Sequence, residues 1–235
     1  MSWGDDLAGW WLGEVEADPA YSSQVLPLAM AMLDPQPEKR YLDLGCGDGR
    51  LLAAITAVGA SAIGVDAAPR LAAIAARVGP VVVGRIPQLG FLADASVDGV
   101  VMVLVLEHLD DAAAAFGEAR RVTRDGGVMA LVMNHPLLTA PGSGPFVDPD
   151  DGEVLWRWGS YLSGGHTDEP AGPGTARFHH RSIGCLLSAA AASGWTLDGV
   201  QEAGHDPALT DDPLLLAQVE VPRLIGIRWS AFSRP

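Results

Sequence analysis

Positive charge is scarce in this chain. Fifteen lysines and arginines stand against 29 aspartates and glutamates, which leaves a net charge of −14. A surface this acidic repels phosphate backbones and anionic bilayers, so neither nucleic acid nor a membrane is expected as a partner. Cysteine is nearly missing. Cys46 and Cys185 alone cannot build a disulfide scaffold or a cysteine zinc site, and their scarcity suits a reducing cytoplasm. No apolar run reaches the ~18 residues of a membrane span. The first thirteen residues lack a basic patch and carry Asp5 and Asp6, so a secretory leader is not expected. The six histidines include no H-x₃-H pair, which argues against a bound metal. Internal repeats and low-complexity tracts are also absent.

What remains is enough for one large domain. The chain has 235 residues, 49% of them apolar, and such a length normally buries a full core. Between residues 40 and 134 short apolar strands alternate with helical segments. Strands are expected at 41–44, 61–65, 81–83, 97–106 and 128–133, with helices at 50–58, 69–78 and 112–122. That alternation is the mark of an α/β doubly wound, Rossmann-like sheet with helices on both faces. Asp18-Pro19 reads as a helix start, and Pro27 either opens a later helix or kinks one long one. Residues 136–178 read as a long glycine- and proline-rich loop, of a kind usually functional in a compact domain. Ser182 caps a late helix. Two strands follow, at 195–200 and 222–232, and the second is expected to be antiparallel at or near an edge.

The strongest local signal is Leu42-Asp43-Leu44-Gly45-Cys46-Gly47-Asp48-Gly49. Three glycines between a strand and a helix allow a sharp turn and close approach of a ligand to backbone amides. A dinucleotide loop wants G-x-G-x-x-G with a pyrophosphate on the helix N-terminus. Here the third glycine comes one residue early, and Asp48 would repel phosphate. A phosphate-free ligand with a cationic centre suits the loop better. Asp66 ends the second strand 21 residues after Gly45, the usual interval to an acid that accepts hydrogen bonds from ribose hydroxyls.

These motifs resemble those of class I S-adenosylmethionine-dependent methyltransferases, of the small-molecule, type 11-like kind. Gly64-Val65-Asp66, the run Val97 to Leu109 and the segment Ala119 to Gly127 follow the glycine loop in the order of that family. In the last of these, Arg124-Asp125 replaces a usual basic-Pro step. The resemblance implies seven strands, the last antiparallel, and S-adenosyl-L-methionine as cofactor with S-adenosyl-L-homocysteine as product. It implies amino-acid groups of the cofactor near Asp43, Gly45, Cys46 and Gly47, and ribose at Asp66 and Ala67. It places the methionine side by Val103 and Leu104. An acid often holds the adenine amine after the third strand, but Arg85 stands there and cannot accept that bond. The backbone of Arg85 and Ile86 is the expected contact instead. Tyr21 is a further candidate, balanced against a packing role.

The division expected is a helical cap over 1–38, a cofactor-binding core over 39–134, a substrate-covering insertion over 135–180, and a helix with two strands over 181–235. Candidate bases are His108 with Glu107, and His135, at the sheet edge where ligands bind in open α/β folds, and the pair His179-His180, which precedes the late helix and with Arg181 resembles a step seen in several small-molecule methyltransferases. Sequence alone does not separate them. Trp156, Trp158, Tyr161 and Phe178 suggest an apolar or aromatic small-molecule acceptor, with Arg181 beside it. Trp3, Trp10 and Trp11 are expected to form a second wall or a dimer contact, and the chain to be a monomer or homodimer. Two other readings compete: a binding protein without turnover, and a nicotinamide-dependent oxidoreductase.

Overall fold

The alternation of strand and helix closes into one seven-stranded sheet in the computed structural model, which describes residues 5–172 and 174–232. The strands are β1 (Arg40–Leu44), β2 (Ser61–Asp66), β3 (Val81–Val83), β4 (Val97–Val103), β5 (Thr123–Asn134), β10 (Trp195–Ala203) and β11 (Leu224–Ala231). Their order is β10-β11-β5-β4-β1-β2-β3. Six run parallel, and β11 is antiparallel to both neighbours. It lies one place in from the edge, which β10 occupies. Its burial explains the position: every residue from Leu224 to Ala231 except Arg228 is buried, as a strand flanked on both sides requires.

Helices α3 (Arg50–Ala57), α4 (Pro69–Ala75), α5 (Ala112–Val122) and α7 (Ile183–Ala192) connect these strands. Two apolar layers result. Phe116 of α5, Leu186 and Ala190 of α7, and Trp229 of β11 fill one face. Leu28, Leu33, Leu52 and Ile55 fill the other. Asp111 starts α5 by accepting the Ala114 N–H at 2.9 Å, and Ser182 accepts the Cys185 N–H at 3.4 Å. Both are ordinary N-caps.

At the N-terminus, α1 (Asp5–Ala17) precedes a second helical stretch that ends in α2 (Leu26–Leu33). Asp18 caps that stretch through the Ala20 N–H at 2.8 Å. Pro27 lies inside it and has no N–H to give. The chain accommodates it with one π-turn over Tyr21–Val25, in which the Leu26 N–H reaches back to the Tyr21 carbonyl. One long helix with a local irregularity is therefore the outcome.

The segment expected as a loop instead carries two strand pairs and a short helix. After α6 (Pro136–Thr139), β6 (Gly144–Val147) pairs with β7 (Val154–Arg157), and β8 (Gly165–Ala171) pairs with β9 (Gly174–His180). A short α8 (Pro213–Leu216) precedes β11. The glycines that looked like loop residues supply turns and strand ends. The β8–β9 hairpin packs on α1, with Leu7, Ala171 and Ala176 in a small core beside Trp10 and Phe178. Among the described residues no helix is long and apolar enough to cross a membrane.

Candidate functional site

The carboxyl ends of β1, β2 and β4 open into a cavity of about 600 Å³. Its position is that of ligand sites in open α/β sheets, and its size suits a small-molecule cleft. The glycine loop forms its inner wall. Gly45 and Gly47 take φ of +78° and +54°. A Cβ on Gly45 would lie 2.3 Å from Val105 Cγ2, and one on Gly47 would lie 2.5 Å from the Trp11 ring. Both positions therefore need glycine for conformation and for space. The Gly45 and Cys46 amides share the Val65 carbonyl, at 2.7 and 3.1 Å.

Asp66 holds this loop. Its carboxylate accepts the Gly47 N–H at 2.9 Å and the Ala68 N–H at 2.8 Å. Each oxygen retains a lone pair for a further donor. Burial pushes its pKa up, and the bonds from Ala68 and Gly47 work against that rise. Ala67 lines the cavity beside it, and Gly84, Arg85, Ile86 and Pro87 continue the wall beyond β3. At the floor, Val103 and Leu104 end β4. Leu104 has a φ of +55°, a conformation that costs a branched residue of order 1–3 kcal/mol. That strain ends β4 three residues before the expected boundary at Leu106.

Asp43, Cys46 and Tyr21 sit behind this wall and do not line the cavity. Cys46 is buried toward β2, its sulfur against Gly64. Asp43 is buried, and its Oδ2 has no hydrogen-bond partner. Burial, with the nearby Asp66 charge, raises its pKa to about 8. Tyr21 is buried edge-on to Trp11, with the Arg50 guanidinium 5.6 Å from its ring centre. Burial pushes its hydroxyl pKa up, and Asp43 and Asp48 add to the rise. Asp48 accepts from Arg50 at 2.8 Å through one oxygen, while the other is buried without a partner. Three carboxylates thus gather about one loop, two of them with an orphaned oxygen. A buried anion without a partner is costly.

The histidines separate into two groups. His108 and His179 line the cavity. The His108 Nδ1 lies 2.8 Å from the Arg177 carbonyl, and its ring packs against Phe178 with centroids 4.6 Å apart. Burial lowers its pKa to about 4. His179 lies 3.7 Å from Asp110. His135 and His180 are buried away from the cavity, and both ring nitrogens of each are engaged. His135 accepts the Leu137 N–H and meets Glu202 at 2.8 Å. His180 lies 3.2 Å from the Thr139 hydroxyl and 2.7 Å from the Tyr161 carbonyl. Glu107 is also buried outside it, with Oε1 accepting from Asn134 and Oε2 unpartnered. Burial raises its pKa to about 7.

Among the aromatic candidates, Phe178 reaches the site only through His108. Trp156 is half-buried in the β6–β7 hairpin, Trp158 is exposed, and Tyr161 packs near His180. None of these three lines the cavity. Arg181 donates to the carbonyls of Leu106, Leu109 and Asp110. It therefore braces the segment after β4. Trp3 lies outside the described residues. Trp11, Asp110, Asp111 and Arg177 line the cavity, and of these the sequence pointed only to Trp11, as a wall. The hairpin register that brings Arg177 and His179 to the cavity is nonlocal and carries no motif. Among the described residues no group of three His, Cys, Asp or Glu side chains is placed to hold a metal ion.

Comparison with known proteins follows the same outline. A family described as methyltransferase domain matches residues 42–131. A ubiquinone biosynthesis O-methyltransferase of Hahella chejuensis is 32% identical over 133 residues, 52% of this chain and 55% of that protein. The chain thus spans about half the length of such curated relatives. An S-adenosylmethionine-dependent methyltransferase structure from Mesorhizobium loti is 27% identical, with a TM-score of 0.76 over 87% of this chain and 96% of that one. A structure described as a putative S-adenosylmethionine-dependent methyltransferase from Listeria monocytogenes is 19% identical. It shares the fold at a TM-score of 0.79, over 90% of this chain and all of that one.

Proposed function

We propose, from the premise that the chain belongs to the class I S-adenosylmethionine-dependent methyltransferases, that it methylates a small, neutral, hydrophobic or aromatic acceptor. The observation that carries the cofactor assignment to these residues is Asp43, a buried carboxylate with an orphaned oxygen behind a glycine cradle. An ammonium or sulfonium group supplies the missing charge, whereas a diphosphate would meet Asp43, Asp48 and Asp66 and be repelled. Asp43 is the residue for the ammonium group, with Gly45 and Gly47 giving close backbone approach. Asp66 has lone pairs left for ribose hydroxyls. The backbone at Arg85 and Ile86 borders the adenine end, and Val103 and Leu104 border the methionine side.

The bound cofactor supplies an activated methyl group. What the chain must add is alignment and exclusion of water, and such positioning is worth roughly 7–11 kcal/mol in favourable cases. The segment 135–180 and α1 are suited to that task, because Trp11, Arg177 and His179 roof the same cavity. The apolar wall at Val103, Leu104, Val105 and Leu109 favours an uncharged acceptor. A quinone-like ring is compatible with this wall, and the Hahella relative acts in ubiquinone biosynthesis by its name.

Calorimetry decides the cofactor reading first. S-adenosyl-L-homocysteine is expected to bind with micromolar or tighter affinity and NADH not at all. Binding of NADH alone would reverse the assignment. A labelled methyl donor offered with phenolic, quinol and amine acceptors then defines the acceptor, and the highest turnover is expected on the neutral phenols.

A further inference from the structure

The apolar surface that this fold leaves uncovered is concentrated. Phe146, Val147, Leu155, Trp158 and Leu162 are all exposed, and all fall within residues 146–162. They belong to the β6–β7 hairpin and the turn after it, and none lines the cavity. Apolar surface gathered in one place marks a contact site. The hairpin is also a two-stranded sheet of its own, with no third strand beside it, and such a sheet is marginal without packing.

Strand alternation sorts the hairpin residues onto two faces. In β7, Val154 and Trp156 are half-buried, whereas Leu155 and Arg157 are exposed. Phe146 stands directly opposite Leu155, and Gly144 opposite Arg157, and directly opposite residues share a face. Glu153 precedes Leu155 by two positions, as Arg157 follows it by two. The Glu153 carbonyl accepts the Asp148 N–H at 2.8 Å, so the ladder continues to it. The outward face therefore reads acid, apolar pair, base, with the pair at its centre. Glu153 and Arg157 lie about 13 Å apart by the rise of a strand, too far to meet. Among the described residues neither makes an ion pair, and Arg157 donates from Nε to the Gly142 carbonyl at 2.9 Å. A Cβ on Gly144 would meet nothing within 4 Å, so the space beside Arg157 is open.

We propose that this face docks a second copy of the chain, the two hairpins lying antiparallel about a two-fold axis through the Phe146–Leu155 pair. That axis sets Arg157 of each copy over Glu153 of the other and brings the two apolar pairs together. A parallel arrangement would instead crowd the acids of both turns, Asp148, Asp150, Asp151 and Glu153, against one another. At a net charge of −14 per chain, two copies repel in general, and this face offers each acid end a cation in return. Trp158 and Leu162, 66% and 89% exposed, follow Arg157 in the chain and add apolar surface at that end of the hairpin. The dimer does not depend on the methyl-transfer reading.

Sedimentation velocity of the whole chain from about 1 to 200 µM reads the association, which a patch of this small size should hold at micromolar strength. Wild type is expected to reach twice the mass of the chain. Leu155→Asp is expected to stay monomeric with an unchanged thermal midpoint, because its site is exposed. Arg157→Glu and Glu153→Arg are each expected to weaken the dimer roughly tenfold, since each replaces two symmetry-related attractions by repulsions. Combined in one chain they reverse the pattern, and wild-type affinity is expected to return. A wild-type chain still monomeric at the highest concentration would overturn the proposal and leave the face to a different partner. A dimer untouched by Leu155→Asp would overturn it as well, because the contact would lie elsewhere. A combined variant as weak as either single one would overturn the antiparallel pairing.

Discussion

Asp43 shows how one buried carboxylate links stability to ligand binding. Its ordinary pKa of 3.8 rises to about 8 in the folded chain. Between those values the folded chain holds a proton that the unfolded chain has released. The stability from Asp43 is therefore complete below about pH 4 and is lost as pH climbs through 8. Asp43→Asn should match wild type in thermal midpoint only below about pH 4 and exceed it by a growing margin as pH rises to 8. The same variant should bind S-adenosyl-L-homocysteine at least tenfold more weakly, because the amide cannot supply a charge. A melting series in pH steps, paired with calorimetry, checks both. Equal midpoints at pH 8 would mean that the carboxylate is not the strained group. Asp66 answers differently, because it already has structural partners. Asp66→Ala removes the acceptor for Gly47 and the cap at Ala68. It should cost about 1 kcal/mol of stability and roughly 10–100-fold in cofactor affinity. A variant that binds normally would remove the ribose assignment.

At the scale of elements, the glycine loop and the two layers over it behave as one unit. Trp11 of α1 occupies the space a Cβ on Gly47 would need. Gly47→Ala should therefore abolish measurable cofactor binding, both by strain at φ +54° and by collision. Adding Trp11→Ala should relieve the collision and restore part of the affinity, which a double-mutant calorimetric cycle reads directly. No recovery would show that backbone strain alone controls the loop. The loop itself was legible in the sequence because its constraint is local: three glycines, a strand before and a helix after. The doubly wound α/β sheet was legible for the same reason, since it follows from the alternation of strands and helices between residues 40 and 134. The β6–β7 and β8–β9 hairpins were not. Their residues are a mixture of glycine, proline and charged groups, and their strands are held by cross-strand pairing and by α1. No period in the chain records such support. The site shows the same division. Gly45, Gly47, Asp66, Arg85 and Leu104 were placed at the cavity by motifs, and Arg177 by nothing but its register opposite Asp168. His135 and His180 looked equivalent to His108 on the sequence. Their partners, Glu202 and the Tyr161 carbonyl, come from distant segments.

Across the whole molecule the charges are arranged as well as unequal. Several of the few cations are drawn to the end of the sheet opposite the cavity. There Lys39 and Arg124 pair with Asp98, Arg120 with Asp125, and Arg121 with Asp94 and Glu118. The cavity end keeps Asp43, Asp48, Asp66, Asp110 and Asp111, with Arg85 and Arg177 as the cations in its wall. Added to a net charge of −14, this places a negative field at the mouth of the cleft. A ligand of net positive charge should be drawn in, and one of zero charge should not. The methyl donor and its demethylated product differ by that one charge and by little else in shape. Stopped-flow association of S-adenosyl-L-methionine should therefore slow several-fold as salt rises from about 0.02 to 0.5 M, where the screening length shrinks to within ~5 Å. Association of S-adenosyl-L-homocysteine should be nearly indifferent to salt over the same range. Parallel salt curves for the two would show that the field does not act on the ligand. Divergent curves would mean that the acidic surface favours exchange of spent product for fresh donor.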